Sequence, residues 1–409
     1  MFLENKMIPP TPGLRIRLSV PGSRDVPGMP AMKSLPIQRS RSARSSVGFI
    51  CLSPPGLVVE YFHIPKALLF ASSAAPTGGA DLIMLTACLT VYNHFQGNCN
   101  GKRKAATLKA MILAAGLGTR LRPLTLERPK PLMPVGNVPL IDRTIGYLKR
   151  FGVDRIAVNT HHLADQVSAH LDGGRPFDIA VRVYEEPEIL GTGGGLKNTE
   201  DFWDDEPFVL INGDILTDMD LGPAIRAHRR GGHMATLLVH DCPPFNQILM
   251  SPEGELLEIA STRGPGRVAF TGIHVLDPGL LDHIPARGFS NIVDVYRELI
   301  RRGMPVRGHL VEEGYWHDIG TVENYLLANR HCLGTRTVLK GEGCRVHESA
   351  HFQEWAVLGP GAEVGARARI GRSVLWNHAR AAPGAILFDC VVTSQGKVVS
   401  ARDVRAGTR

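Results

Sequence analysis

The sequence predicts an α/β fold with a mostly parallel sheet, followed by a short parallel β-helix. Two observations predict this arrangement. From Lys109 to about Ala328, short β-rich runs alternate with helical stretches, which is typical of βαβ units. Beyond Thr337, apolar residues recur at every sixth position, which is typical of a chain wound into β-helical coils.

The elements of the α/β region follow from apolar periodicity and from turn residues. Leu140–Arg150 has helical spacing of its apolar residues and stops before Gly152. Ser290–Arg302 is predicted as a second helix, with Ser290 as its N-cap and Gly303 as its stop. Four apolar runs are predicted as buried strands: Met111–Ala114, Arg155–Asn159, Phe208–Asn212 and Thr236–Val239.

The apolar residues of the six-residue repeat are predicted to point into the coils, with small residues at the tight corners. An irregular tail rich in Gly, Ala and Val is the alternative. The repeat has room for fewer than three full coils, so an exposed end needs a cap or a partner, which favours a homo-oligomer. The repeated positions are Val346, Phe352, Leu358, Val364, Ile370 and Trp376, and Ala382 and Phe388 continue the phase.

The basic charge of the chain is concentrated at its front. Residues 1–106 contain 12 of the 46 Lys and Arg residues but only 4 of the 39 Asp and Glu residues, so the remaining 303 residues hold 34 basic against 35 acidic side chains. A nearly neutral body offers no basic face for a phosphate backbone, so we expect no nucleic-acid partner. The leader itself, rich in Pro, Ser and Arg, is expected to be disordered or a mis-assigned upstream extension, with a basic targeting arm as the alternative.

Cysteine usage and hydropathy indicate the compartment. The seven cysteines include no C-x-x-C pair, which favours reduced thiols and a cytoplasmic protein. No window has the roughly 18 apolar residues that a membrane span needs, so no membrane partner is expected.

The strongest functional signal follows the first predicted strand of the α/β region. In the run Leu113–Thr125, the glycines Gly116 and Gly118 let backbone N–H groups approach an anion. The run is not a P-loop, because no Gly-Lys-Ser/Thr follows. It is not a dinucleotide fingerprint either, because Leu121 occupies the third glycine position.

Charged residues complete the predicted site. Lys130 lies between two prolines that stiffen the chain around it, so Arg120 and Lys130 offer two fixed cations for one triphosphate. Asp214 follows a buried strand, at the edge of the sheet where ligands bind, and Asp318 lies where a turn leads into a helix. Together the two carboxylates could hold a Mg²⁺ ion, which shares its remaining positions with phosphates and water.

These motifs together resemble those of the sugar-nucleotide pyrophosphorylases, the sugar-phosphate nucleotidyltransferase family, over more than half of the chain. The resemblance implies a Rossmann-like nucleotidyltransferase domain over residues 108–334 and a left-handed parallel β-helix over residues 337–409, as in mannose-1-phosphate guanylyltransferases. The similar segments are the G-x-G-T-R loop with the following P-K-P-L-x-P-V run, Leu190–Gly195, Asn212–Asp214 and Trp316–Thr321.

The resemblance also implies roles for individual residues. Arg120 and Lys130 would stabilise charge in the transition state, and Asp214 and Asp318 would bind Mg²⁺. The residues implied around the nucleotide are Leu113, Ala115, Gly116, Gly118, Thr119, Glu186, Gly191 and Thr192, and those implied around the sugar are Gly213, Gly272 and Arg263.

The resemblance favours GTP and mannose 1-phosphate as substrates. A carboxylate at Glu186 can accept both N1–H and N2–H of guanine, whereas uracil suits an amide better. Arg263 or Arg267 would replace the lysine of a Glu-Lys-Pro segment that many members use for the sugar phosphate. The runs Val158–Asp165 and Gly193–Gly195 also resemble N-acetylmuramate 1-phosphate uridylyltransferases, which is the alternative.

The implied reaction needs no protein nucleophile. A sugar 1-phosphate oxygen attacks the α-phosphorus of the nucleoside triphosphate in line with the departing pyrophosphate. A catalytically silent regulatory subunit is the alternative from another class, although all four charged site residues are present. The pair His161 and His162 has no further ligands nearby in the sequence and is predicted to be structural.

Overall fold

The computed structural model describes Leu108–Ser400 together with the backbone of two short antiparallel strands, β1 (Cys51–Leu52) and β2 (Val58–Val59). The rest of the predicted leader, residues 1–106, lies outside the described residues. Within the described part of the chain, no helix combines the length and the apolar character needed to cross a membrane.

Strands and helices alternate from β3 to β10, as the sequence predicts, but β10 to β13 follow one another without an α-helix between them. The strands are β3 (Leu108–Leu113), β4 (Pro134–Val135), β5 (Val138–Pro139), β6 (Val153–Thr160), β7 (Ala180–Glu185), β8 (Phe208–Asn212), β9 (Ile215–Thr217), β10 (Ala235–His240), β11 (Asn246–Met250), β12 (Leu256–Ile259), β13 (Val268–Leu276), β14 (Val306–Leu310) and β15 (Trp316–Asp318). The helices are α1 (Leu124–Glu127), α2 (Leu140–Arg150), α3 (Ala164–Leu171), α4 (Gly191–Lys197), α5 (Gly222–Gly231), α6 (Ile292–Arg301) and α7 (Val322–Cys332).

A nine-stranded sheet in the order β12-β11-β13-β8-β3-β6-β7, with β10 paired to β13 and β14 paired to β10, organises this region. The prediction of a mostly parallel sheet holds for one half only. β7, β6, β3 and β8 run parallel, and β14 is parallel to β10. β13 is antiparallel to both β8 and β10, and β11 is antiparallel to β12 and β13. The sheet is therefore mixed. For β11 and β12 the reason is local, because the short turn at residues 251–255 can join them only as antiparallel neighbours.

Hydrophobic clusters cover both faces of the sheet. Along β3, Ala110 and Ile112 lie in one cluster and Met111 in the other, as the alternation of a strand requires. Ile145 of α2 packs on the first face, and Leu299 of α6 packs on the second. This double covering leaves the carboxyl ends of β3, β6 and β8 as the open edge of the parallel half.

The predicted elements match the structure to different degrees. The helix Leu140–Arg150 and the strand Phe208–Asn212 are confirmed at both ends. The second predicted helix begins two residues late, as Ile292–Arg301. Its N-cap is Asn291, whose side chain accepts a hydrogen bond from the first turn. The Ser290 N–H instead donates to the Leu190 carbonyl, and the Ser290 carbonyl accepts from Gly193 and Gly194 in α4. The N-cap prediction for Ser290 is therefore wrong.

The C-terminal segment forms stacked coils of parallel strands. Val338 pairs with Ala356, 18 residues later, whereas Arg369 pairs with Ile386, 17 residues later. The strand β24, the last in the described part of the chain, runs antiparallel to β23. The strands are β16 (Val338–Lys340), β17 (Arg345–Val346), β18 (His351–Leu358), β19 (Glu363–Val364), β20 (Arg369–Leu375), β21 (Arg380–Ala381), β22 (Ile386–Phe388), β23 (Cys390–Val392) and β24 (Val398–Ser400).

The predicted phase of the repeat is wrong from Trp376 onward. Leu358 and Ile370 lie in the core of the coils as predicted, but Leu375 then takes the inward position predicted for Trp376. The cause is a one-residue shift in the pairing of β18 with β20, which shortens the coil from 18 to 17 residues. By the same shift, Ala381 and Leu387 lie in the coil core in place of Ala382 and Phe388.

The coils share a hydrophobic cluster with the α/β region. Trp355 and Trp376 of the coils are buried in it together with Leu121, Met133 and Tyr325. The helix α7 lies between the two parts and contacts both β15 and the coil strands. The two segments predicted as separate domains are thus joined by a common core.

Candidate active site

A cavity of about 320 Å³ opens at the carboxyl ends of β3, β6 and β8. This is the edge at which parallel α/β sheets bind their ligands. Most of the predicted site residues line it: Leu113, Ala115, Gly116, Gly118, Thr119, Arg120, Lys130, Glu186, Gly191, Thr192, Gly213 and Asp214.

The glycine-rich loop forms one wall of the cavity. Gly118 has φ +59°, and a Cβ there would lie 2.7 Å from Cγ2 of Thr125, so only glycine fits. The Thr125 hydroxyl donates to the Gly118 carbonyl at 2.9 Å and fixes the turn. Gly116 instead has nothing within 4 Å of an added Cβ. The loop is therefore tightly held at Gly118 and open at Gly116, where an anion can approach the backbone.

Lys130 is held against Asp214. Its two neighbours, Pro129 and Pro131, are buried, and its own side chain is 12% exposed. The ammonium lies 2.6 Å from Oδ2 of Asp214, so the pair forms a hydrogen-bonded salt bridge. Lys130 thus lies between two buried prolines, and its side chain lines the cavity.

The two predicted metal ligands lie next to each other in the sheet formed by β9 and β15: Asp214 directly precedes β9, and Asp318 is the last residue of β15. β15 pairs antiparallel with β9, which places Asp318 opposite Ile215, and the Ile319 N–H donates to the Asp214 carbonyl at 2.9 Å. Oδ1 of Asp318 is buried and has no hydrogen-bond partner among the described residues. Burial and the negative charge of Asp214 raise the pKa of Asp318, while Lys130 and Arg120 oppose the shift. Asp318 therefore lies beside a second carboxylate with one buried oxygen that no described residue neutralises by a hydrogen bond.

Arg120 approaches this pair across Gly320. A Cβ on Gly320 would lie 2.7 Å from Oδ1 of Asp318 and 3.0 Å from two guanidinium nitrogens of Arg120. Gly320 also lines the cavity, although sequence analysis did not single it out. Because Gly320 has no Cβ, the guanidinium of Arg120 has room to approach Asp318.

Glu186 is a buried carboxylate with both oxygens in use. Asn159 donates to Oε1 at 2.7 Å, and the Leu190 N–H donates to Oε2 at 3.0 Å. Asn159 also accepts from the Ala114 N–H at 2.8 Å, which ties the end of β6 to the glycine-rich loop. Glu186 therefore lines the cavity as predicted and also anchors the loop that leads into α4.

Close neighbours explain why α4 contains three consecutive glycines, Gly193–Gly195. A Cβ on Gly195 would lie 2.6 Å from Nδ2 of Asn159 and 2.7 Å from Oε1 of Glu186. A Cβ on Gly193 or Gly194 would meet atoms of the loop 288–290 at 2.7 and 2.6 Å. This packing brings Gly191 and Thr192 to the cavity.

The structure brings only some of the residues predicted to bind the sugar to this cavity. Gly213 lines the cavity, and its N–H donates to the Leu113 carbonyl at 2.8 Å. Gly272 has φ +75°, and a Cβ there would lie 2.6 Å from Nδ2 of Asn212, which lines the cavity. Arg263 does not line this cavity. It lines a second one of about 620 Å³, together with Arg267.

The histidine pair bonds to backbone carbonyls. Nδ1 of His161 lies 2.7 Å from the Glu186 carbonyl, and Nε2 of His162 lies 2.7 Å from the Thr125 carbonyl. Both rings therefore fasten the walls of the cavity to each other, in agreement with the structural role predicted for them.

Sequence analysis missed Asn159 and Asn212 as cavity residues. Each lies at the carboxyl end of a buried strand, β6 or β8. A polar residue at the end of an apolar run is the same signal that identified Asp214, and it could have found both.

Comparison with known proteins agrees with this geometry. A family model described as nucleotidyl transferase matches residues 109–334, more than half of the chain, so the chain belongs to that family. The protein is therefore a nucleotidyltransferase.

Its curated relatives act on different substrates. The UTP–glucose-1-phosphate uridylyltransferase of Synechocystis is 28% identical over 73% of this chain and 91% of that protein. The mannose-1-phosphate guanylyltransferase of Mycobacterium tuberculosis is 26% identical over 68% of this chain and 82% of that protein. The N-acetylmuramate alpha-1-phosphate uridylyltransferase of Neisseria meningitidis is 35% identical over 53% of this chain and 94% of that protein.

A solved structure shares the fold of just over half of this chain. It is a Bacillus anthracis protein assigned as a glucose-1-phosphate thymidylyltransferase, in complex with sucrose. It is 26% identical, with a TM-score of 0.51 over 56% of this chain and 97% of that chain.

Proposed function

We propose that this nucleotidyltransferase joins a nucleoside triphosphate to a sugar 1-phosphate, with GTP and mannose 1-phosphate as the first candidate pair, and releases pyrophosphate. The observation that supports the proposal most is that Arg120, Lys130 and Asp214 line one cavity beside an open glycine loop. Asp318 does not line this cavity, but its carboxylate interacts electrostatically with all three of these residues. Cations beside a glycine loop suit a triphosphate, because its charge requires both backbone N–H groups and fixed positive side chains.

Arg120 and Lys130 are proposed to stabilise the charge that develops on the phosphates. The attacking oxygen comes from the sugar 1-phosphate, so the protein has to align two substrates rather than supply a nucleophile. Gly116, Gly118 and Thr119 would hold the phosphates, and Gly191 and Thr192 would lie beside the base and sugar. Gly213 and Gly272 would let the sugar approach the sheet edge.

Asp214 and Asp318 are proposed to bind Mg²⁺. The unpartnered buried Oδ1 of Asp318 and the raised pKa of this group fit a cation, because a carboxylate so placed needs positive charge. In the described part of the chain, no cluster of three or more acidic, histidine or cysteine residues could hold a metal unaided, so phosphates and water would complete the shell. When bound, Mg²⁺ would add positive charge at the phosphate oxygens.

The choice of nucleotide depends on Glu186. Each of its oxygens accepts one hydrogen bond from the protein and retains a second lone pair for guanine N1–H or N2–H. Similarity to mannose-1-phosphate guanylyltransferases also supports GTP.

UTP is the second candidate nucleotide. Because both Glu186 oxygens are already engaged, the residue can act as a loop anchor without reading the base. The 35% identity to an N-acetylmuramate 1-phosphate uridylyltransferase supports that alternative.

Arg263 is proposed to act only on a group that extends from the sugar into the second cavity, because it does not line the first. The left-handed sense of the coils, their hexapeptide character, a homo-oligomer and a cytoplasmic location stay predictions.

A substrate matrix tests the proposal. GTP, UTP, dTTP, CTP and ATP are each combined with mannose, glucose and N-acetylmuramate 1-phosphates, and pyrophosphate release is measured. We expect the highest kcat/KM with GTP and mannose 1-phosphate. A strong preference for UTP would replace the first candidate by the second, and no release with any pair would contradict the function.

A further inference from the structure

Trp376 faces the catalytic region rather than the interior of the coils. The one-residue shift in the coil repeat places Leu375 inward and turns Trp376 outward, yet its side chain is 0% exposed. It belongs to one buried hydrophobic cluster with Leu121, Leu124 and Met133, which lie in the segments before and after Lys130.

Trp376 is linked to both ends of the lysine segment, directly at Arg128 and through Tyr325 at Pro134. The guanidinium carbon of Arg128 lies 5.1 Å from the centroid of the Trp376 ring, within range of a cation–π interaction. The indole N–H donates to the hydroxyl of Tyr325 at 2.9 Å, and that hydroxyl donates to the carbonyl of Pro134. Arg128 precedes Lys130 by two residues and Pro134 follows it by four. Both ends of the segment that holds the lysine are thus fastened to one coil residue.

The same cluster also supports the other charged groups of the site. Leu121 directly follows Arg120, and Ile319 directly follows Asp318. The first turn of α7 bonds to the site as well, because the Asn324 amide donates to the Asp318 carbonyl at 2.8 Å.

We infer that the C-terminal coils are part of the catalytic apparatus, and that Trp376 is a positioning residue that sets Lys130 through Arg128 and Tyr325. The inference rests on the proposed function in one respect, namely that Lys130 acts on the phosphates. Lys130 lies in a single 3-10 turn, Lys130–Leu132, whose own hydrogen bonds are few. A displacement of about 1 Å in such a segment can lower turnover about a hundredfold.

The experiment compares two buried neighbours that face opposite ways. Trp376→Leu removes the ring from the catalytic side, and Leu375→Ala opens a cavity on the coil side. Amide hydrogen exchange is measured for residues 128–135 without substrate, and kcat and KM are measured with the pair that the wild type uses best.

We expect Trp376→Leu to lower kcat about tenfold or more with KM for the nucleotide within about twofold. Exchange at the Leu132 and Met133 amides should become faster, since their bonds to Pro129 and Lys130 close the turn. Leu375→Ala should lower the melting temperature but leave kcat and these amides unchanged. Trp376→Phe, which keeps a ring for Arg128, should recover part of the loss.

Tyr325→Phe gives a second, milder test, because it removes only the hydroxyl between Trp376 and Pro134, and it should change kcat and exchange in the same direction. Equal effects of Trp376→Leu and Leu375→Ala, or unchanged exchange at residues 128–135 in Trp376→Leu and Tyr325→Phe, would overturn the inference. The exchange measurement needs no substrate, so it decides the inference even if every substrate pair fails and the proposed function is wrong.

Discussion

Replacing Lys130 by methionine removes the ammonium that faces Asp214 but keeps a flexible apolar side chain of similar length. The ammonium lies 2.6 Å from Oδ2 of Asp214, and the two side chains are 12% and 28% exposed. The substitution therefore deletes one charge from a largely desolvated site and leaves the two carboxylates facing each other with less positive charge between them.

The size of the effect follows from that geometry. At 2.6 Å and an effective dielectric constant of about 20, the gross attraction of the pair is roughly 6 kcal/mol. Desolvation offsets much of this, and only the part that differs between ground state and transition state changes kcat. The loss of one such preorganised donor lowers kcat by about 10² to 10³, or about 2.7 to 4 kcal/mol.

The assay is pyrophosphate release at saturating concentrations of both substrates, with Lys149→Met as the matched control. Lys149 donates to the carbonyls of Phe177 and Asp178 on the surface and does not line the cavity. We expect the control to retain wild-type kcat. If Lys130→Met kept a kcat within about threefold of wild type, the assignment of Lys130 to the phosphates would be wrong.

Three further predictions follow from the same site. Asp318→Asn should raise the melting temperature of the metal-free protein at pH 7 while abolishing turnover. The pKa of Asp318 is raised in the folded state, so its neutral carboxyl stabilises the fold below the unfolded pKa of about 3.9, and this stabilisation is lost as the pH rises through the folded pKa. Towards pH 4 the carboxyl becomes neutral in the wild type as well, so the stability advantage of Asp318→Asn over the wild type should shrink. Gly195→Ala should destabilise the fold by about 1–3 kcal/mol, because the added Cβ would lie 2.6 Å from Nδ2 of Asn159. Gly116→Ala meets no atom within 4 Å, so it should leave the denaturation midpoint unchanged and raise KM for the nucleotide. Glu186→Gln should shift the GTP to UTP ratio of kcat/KM towards UTP; an unchanged ratio with lower stability would make Glu186 a loop anchor alone.

Local patterns were sufficient to predict much of the fold and the charged site. The helix Leu140–Arg150 follows from apolar spacing within one segment, and its bounds are confirmed. Lys130 could be identified because the prolines on either side restrict the chain whatever packs against it. Asp214 could be placed because the carboxyl ends of parallel strands share one edge of the sheet.

Features that depend on contacts between distant segments could not be predicted in this way. The inward position of Leu375 depends on how β18 and β20 pair, and a strict six-residue count cannot register a one-residue shift. Likewise, the requirement for glycine at Gly195 arises from Asn159 and Glu186, which are remote in the sequence. Arg263 was assigned to the sugar by resemblance alone, and its place in a second cavity depends on the path of the loop between β12 and β13.

The reaction itself is the most direct test of the proposed site. Phosphorus NMR of one mixture of enzyme, Mg²⁺, GTP and mannose 1-phosphate can follow pyrophosphate and sugar nucleotide together. We expect the two products to form in equal amounts, and neither to form when the sugar phosphate is left out. Pyrophosphate released without sugar phosphate, or no sugar nucleotide from this or any other nucleotide and sugar phosphate pair, would contradict the proposal.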